Sequence, residues 1–502
     1  MWVLSTAIFA SDSLPVIEVK ADRTVIYVQR MELMGEESLM DILQMMPELM
    51  IRGYEDVLDG YNLRVDNCPL NGDTRLILTQ MKAVDIATVQ VCDNTGVAKG
   101  SIGMGKVLDI TMNMPASLKG LVEGQGGFGK KLEGNATVNV LYGSARTDLY
   151  ANASYRYQED HKEYLSLHMT NRFDERNRLL SYLTQQFVQQ LGAPTHKVLG
   201  RARYFHSFNQ SGTELMILGG YQYTTNPTAT SRLPMFVLEL NTPLPLKGLT
   251  MMTGVEGNYL ITRQKDTNFS SNVFNHDIYL QLSYALPQWR FTVGHRLMIY
   301  NYHLADTAGV QKHMDLRNNT NASIVYMPHM QHQLQLGYYR KFSNPKDLTL
   351  SLEERVINQI KFTYAFSRRD LTVQAGTSYY FIEDEENYAS LEASAYWKTK
   401  WVTLNGGANL YIAKSKVFAS LRVAPTAYLP RQWQIAVQLV YYTRRSPIRE
   451  LYGTPVYGCL SVNKQIGANW NLGVAWHDMF DSFCSTSKLN RHAANLTVQY
   501  RF

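Results

Sequence analysis

The stretch Ala493–Phe502 sets apolar side chains at Ala494, Leu496, Val498, Tyr500 and Phe502 between mostly polar neighbours. A two-residue period of this kind turns one face of a strand toward an apolar medium and the other toward water. The same alternation returns in Gln333–Tyr339, Ala389–Trp397, Val402–Leu410 and Trp433–Tyr441. From residue 117 onward the chain reads as strands of about 10 to 15 residues joined by connections of two unequal kinds. Short turns fall at Gly143–Arg146, Asn209–Gly212, Leu286–Trp289, Pro328–His332, Arg368–Asp370, Lys398–Lys400, Leu429–Gln432 and Gln465–Asn469. Between them lie longer polar connections at 160–196, 224–232, 263–272, 303–313, 344–354, 444–452 and 480–491, with shorter exceptions near Glu383–Glu386 and Lys414–Lys416. Short turns on one side and long loops on the other predict an all-β transmembrane antiparallel β-barrel over 115–502, with about 20 to 22 strands. So wide a barrel has a lumen its own inward side chains cannot fill. Residues 23–114 are the expected filling, a small α/β domain without long dyad repeats. Gly35–Met46 is its helix, with Leu39, Ile42, Leu43 and Met46 at helical spacing and Pro47 ending it, and short strands follow at Asn62–Val65, Leu76–Leu78, Thr88–Val91 and Val107–Met112.

Composition agrees with strands that cross a membrane. The chain is 45% hydrophobic with a mean hydropathy of −0.24, and it holds no uncharged apolar run near the roughly 18 residues that a spanning helix needs. Thirty-two Tyr and seven Trp suit interfacial girdles, although a large secreted β-sandwich or lectin would share this composition. The net charge of +6 is spread along the chain, which leaves no basic block for nucleic acid. Trp2–Ala10 is a short apolar run ending in small residues, as in the core of a secretory signal peptide, although no basic leader precedes it; a short buried strand would read the same way. Cys68, Cys92, Cys459 and Cys484 permit disulfides in an oxidising compartment, and Cys68 with Cys92 could staple the small domain.

Several segments together resemble one family. Ser38–Ile51 is similar to the Ser-Leu-x-Asp-Leu-Leu-x-x-x-Pro-Gly-Val-x-Val opening of the plug in TonB-dependent outer-membrane receptors. Val84–Val91 and Gly96–Ile110 resemble that family's Ile-Glu-x-Ile-Glu-Val and the Gly-rich stretch before its Val-Ile-Asn-Ile strand. Tyr61–Asn71 occupies the place of the Leu-x-Asp-Gly turn, with Asp66-Asn67 for Asp-Gly, and Asp478–Asp481 resembles the Asn-Leu-Phe-Asp motif near the next-to-last strand. Leu14, Pro15, Val16, Ile17, Glu18 and Val19, within 11–22, look like a TonB box, which would add a strand to the TonB protein. An extended linker or first plug strand is the plainer reading of those six residues. Val498, Tyr500 and Phe502 resemble the signal read by the barrel-assembly machinery. The resemblance runs the whole length in the order box, plug, barrel and terminal Phe, and its nearest variant is the receptor-like barrel common in Bacteroidetes. Glu48 in place of the Pro-Gly glycine, Lys106 in place of the second Gly of a Gly-Gly pair, and a length of 502 residues depart from the pattern.

The resemblance implies transport energised from the inner membrane, with outer loops carrying specificity. It also implies lipid, TonB, an unknown small ligand and a surface lipoprotein as partners, and no cofactor. In that frame Gly96, Gly100, Gly103 and Gly105 would permit close backbone approach within the plug, or be ordinary loop glycines. Arg52 and Arg64 would meet carboxylates on the inner wall, or remain solvated surface charges. No catalytic or metal motif stands out. His329 and His332 fall in a predicted turn, Glu383–Glu386 read as solvated loop carboxylates, and Arg444–Tyr452 lies too near the end of the chain to match the Arg-Ala-Pro box of haem receptors. Two functions from different classes follow: a TonB-dependent importer of a scarce nutrient (siderophore, cobalamin, glycan or peptide), or a non-transporting barrel that serves a partner complex. A passive porin fits less well, because the N-terminal domain would block its lumen.

Overall fold

The computed structural model of the chain describes residues 16–19, 24–31, 39–44, 61–65, 68–69 and 81–92 of the N-terminal part. From 106 to 502 it describes all but 116, 129–132, 158–160, 191–192, 210–211, 266, 268, 307–308, 330, 344–354, 369, 383–385, 415, 444–455, 468, 478 and 480–492.

The N-terminal part is a six-stranded sheet made of β1 (Ile17–Val19), β2 (Thr24–Tyr27), β3 (Tyr61–Val65), β4 (Cys68–Pro69), β5 (Ile86–Cys92) and β6 (Lys106–Met112). Their order is β1-β2-β5-β6-β3-β4, with β3 and β6 parallel and the other neighbours antiparallel. Helix α1 (Leu39–Gln44) lies within the predicted 35–46, whose remaining residues are outside the described ones, and Leu39, Ile42 and Leu43 are fully buried as the helical spacing requires. They join Ile26, Ile86 and Val89 in one apolar cluster. Leu76–Leu78 lies outside the described residues. The proposed Cys68–Cys92 staple is corrected by the strand order: β6 and β3 stand between β4 and β5. Three strand spacings amount to about 14 Å, twice the roughly 7 Å that a disulfide spans between Cα atoms.

Residues from 119 onward form a closed antiparallel barrel of 22 strands, from β7 (Lys119–Phe128) to β28 (Ala493–Arg501), with β28 pairing back onto β7. Alternation decides each strand's faces. Leu165 and Leu167 in β10 (His161–Arg172) point out while Tyr164, Ser166 and His168 are buried inside. The outward face is apolar around the whole barrel, a degree of exposure that a water-soluble surface does not tolerate but lipid does. Trp289, Trp397, Trp401, Trp433 and Trp470, five of the seven Trp, are all exposed and all sit at or beside the short turns. They form one girdle of the membrane-spanning belt.

The strand count corrects one predicted loop. Residues 160–196 hold β10, the turn 173–176, β11 (Asn177–Gln190) and the start of β12 (Ala193–Ser207). Charged residues crowd the ends of that hairpin and hide its dyad, although Leu183 still alternates with buried Tyr182 and Thr184. Two more predicted long connections are tight. β13 (Glu214–Thr225) reaches β14 (Ala229–Pro243) through 226–228, where the Asn226 side chain accepts from the N–H groups of Thr228 and Ala229. Only 307–308 separate β17 (Trp289–Asp306) from β18 (Gly309–His329), because both strands run far past the apolar belt. On the turn side no connection exceeds the six residues 208–213, whereas on the loop side 344–354, 443–455 and 478–492 are each longer than ten.

Candidate functional site

The inner sheet sits in the lumen at the turn-side end, and its edge strand carries part of the predicted TonB box. β1 pairs with β2 through Ile17↔Ile26, Glu18↔Val25 and Val19↔Thr24, and the Tyr27 N–H donates to the Val16 carbonyl at 2.9 Å. Val16 and Ile17 are buried, as their apolar side chains dictate for a strand lying on a core. The Tyr27 hydroxyl donates to Glu18 at 2.7 Å, and the Arg30 guanidinium lies 3.7 Å from the centre of the Tyr27 ring. Burial and then the bond to Glu18 raise the Tyr27 hydroxyl above its ordinary pKa.

The other edge of β1 meets the barrel wall. Ser367, at the turn-side end of β20 (Arg355–Arg368), donates its hydroxyl to the Ile17 carbonyl at 2.6 Å. Lys398, at the same end of β22 (Tyr388–Lys398), donates to the Arg30 carbonyl at 3.4 Å. Apolar contact spreads the attachment, since Leu141, Tyr150, Tyr164, Tyr182, Leu199 and Tyr396 from the wall belong to the same cluster as the sheet core. Elsewhere on the wall, the buried Lys82 ammonium pairs with the buried Glu123 carboxylate of β7.

The middle of the wall carries a buried charge network on successive strands. Arg296 of β17 donates to Asp277 of β16 (Ser270–Ala285) at 2.9 Å and to Glu256 of β15 (Leu249–Gln264) at 2.6 Å. Tyr279 donates to Glu239 of β14 at 2.7 Å, and Arg317 of β18 donates to Asp315 at 2.5 Å. Across β9 (Thr147–Tyr157), β10 and β12, inward register positions hold Arg156, Lys162 and Lys197, with Arg156 directly opposite Lys162. Sequence reasoning missed both groups. Their signal was a charged residue at the inward parity of an otherwise regular strand, which is legible only once the register is known.

Of the predicted residues, Val16 to Val19 lie in or next to β1, and Arg64 is half-buried in β3. Val498, Tyr500 and Phe502 face outward at the turn-side end of β28. Leu14, Pro15, Arg52, Asp66, Gly96, Gly100, Gly103 and Gly105 lie outside the described residues, as do Trp2–Ala10, Glu383–Glu385 and Arg444–Tyr452. Among the described residues no group of three His, Cys, Asp or Glu is placed to hold a metal ion.

No family model and no curated relative matches the sequence. Solved structures nevertheless share the architecture over nearly the whole chain. The siderophore receptor PirA from Pseudomonas aeruginosa matches with a TM-score of 0.72 at 12% identity, covering 97% of this chain and 100% of that one. The ferric-catecholate import receptor Fiu from E. coli K12 matches at 0.71 and 12%, covering 96% and 97%. The alcaligin outer-membrane receptor FauA from Bordetella pertussis matches at 0.70 and 11%, covering 98% of each. The fold is therefore a plugged β-barrel of the kind these receptors have.

Proposed function

We propose, on the premise of a fold built like the TonB-dependent receptors, that this protein sits in the outer membrane of a Gram-negative cell and imports a scarce solute in a TonB-dependent manner. The observation that carries the reading is the position of β1, an edge strand at the turn-side mouth of a barrel whose lumen holds a folded sheet. A plug of this kind stops free diffusion, so passage requires work on the plug. An edge strand near the periplasmic opening is where a partner can apply that work by strand addition. Leu14–Val19 is the segment assigned to TonB.

The neighbours PirA and Fiu, receptors for a siderophore and for ferric catecholates, are consistent with an iron chelate as cargo.

The test is uptake by cells carrying the chain with residues 11–19 deleted, beside binding of a peptide spanning Asp12–Arg23 to the TonB C-terminal domain. Loss of uptake with a correctly assembled barrel, and saturable peptide binding abolished by Val16→Pro with Val19→Pro, is the expected result. Unchanged uptake, or no binding, would replace the importer with a barrel that serves a partner complex.

A further inference from the structure

We infer that the inner sheet staples the closing seam of the barrel, so that seating the plug and shutting the barrel are one coupled event, with Lys82 as the coupling residue. The seam is the pairing of β28 with β7, in which Gln499 stands directly opposite Glu123. Gln499 donates to Glu123 at 2.6 Å across 376 residues of chain, and Asn471 of β27 (Trp470–His477) donates to Gln499 at 3.2 Å. Lys82, from the inner sheet's domain, pairs with the same Glu123 oxygen. A buried polar string thus runs from the plug through the first barrel strand to the last two, and all four of its residues are buried.

Two further features converge on this place. Asp85, three residues after Lys82, lies in the field of Arg501 of β28 and of Lys119 of β7. Its carbonyl accepts from the N–H of Asn113 at 2.7 Å, and Asn113 begins the short link into β7. Below it, Gly120 and Phe502 exchange both backbone hydrogen bonds, at 3.0 and 3.1 Å. The Phe502 ring covers the face of Gly120, where a Cβ would fall inside it. Neighbouring strands elsewhere in the barrel are joined by local connections. This one pairing closes a loop that spans the whole barrel, the arrangement with the greatest entropic cost of closure. A cation supplied by the seated plug pairs with a carboxylate of that seam, and removing the cation while the plug stays seated leaves Glu123 buried without it. The inference concerns assembly and holds whether or not the plug moves during transport.

The experiment follows heat-induced opening of the full-length barrel in lipid vesicles by its electrophoretic shift, for the parent, Lys82→Met and Lys82→Met with Glu123→Gln. Each is also made with a seam disulfide from Gly124→Cys and Val498→Cys, which face each other on the outward side. Lys82→Met is expected to open at a clearly lower temperature than the parent, and adding Glu123→Gln to recover part of the loss. With the seam disulfide formed, the variants should open together. An opening temperature indifferent to Lys82, or a deficit that the disulfide leaves intact, would overturn the inference and confine Lys82 to the plug's own stability. Should Lys82→Met fail to assemble, the double variant carries the same comparison, because it buries no lone charge.

Discussion

The two ends of this barrel are built under different rules. At the turn side, connections stay within six residues, five Trp ring the wall, and the inner sheet touches it through Ser367, Lys398 and Glu123. At the loop side, strands end at uneven heights, from the eight residues of β27 to the twenty-one of β18, and connections lengthen. Membrane depth, plug seating and seam closure all bear on the first end, so its geometry is over-determined. The second end answers to none of them and is free to vary.

Charge in the middle of the wall supports both ends, and removing it gives the largest expected effect. Arg296→Met removes the cation that pairs with buried Asp277 and half-buried Glu256 and should destabilise the barrel by about 3–5 kcal/mol. Equilibrium urea unfolding in vesicles measures it, and a loss below about 1 kcal/mol would mean that the network is not buried as described. Next comes Gly120→Val at the turn side, where the new side chain must displace the Phe502 ring. The overpacking costs about 1–3 kcal/mol, visible as slower closure in refolding assays, whereas the same change at Gly126, with open space around it, should do less.

A third experiment sharpens the contrast directly. Ten Gly/Ser residues inserted at 414–416 on the loop side should cost only about 0.6 kcal/mol per doubling of loop length. The same insert at 399–401 on the turn side loses the bond from the Thr399 N–H to the Val402 carbonyl and displaces Trp401 from the girdle. Surface delivery of the two variants decides it, and equal tolerance would erase the distinction between the ends.

The smallest effect is a pH dependence at the plug. Burial raises the Asp85 carboxyl above its ordinary pKa, and Arg501, Lys82 and Lys119 only partly oppose it. A carboxyl with a raised folded-state pKa contributes stability that is complete below its unfolded pKa and is lost as pH rises through the folded value. Plug seating should therefore weaken as pH climbs out of the carboxylate range, and Asp85→Asn should flatten that slope in hydrogen-exchange measurements on β5 and β6.

The barrel was largely legible because a two-residue period survives any register, and Gln333–Tyr339 or Val402–Leu410 needs no partner to declare its faces. The hairpin of β10 and β11 was not, since Lys162, Arg172 and Arg178 at its ends look like loop residues until the strands are known to overrun the belt. Leu39, Ile42 and Leu43 announced the helix by spacing alone. Lys82 and Glu123 could not announce each other, because their contact depends on how the inner sheet lands on the closing strands. Arg296 and its carboxylates share that fate, each lying on a different strand.

Strand β1 also has a mechanical consequence. Being antiparallel to β2, it sets its N-terminal end beside the C-terminal end of its partner, where Ile17 stands opposite Ile26 and the Val16 carbonyl is bonded by the Tyr27 N–H. A tension applied ahead of residue 16 therefore loads that pair first and peels the rungs one after another, where a parallel partner would have resisted in shear with every rung sharing the force. Three rungs and the Ser367 bond set the threshold, and β2, held in turn by β5, acts as the stop at which a modest pull gives way to a stiff one.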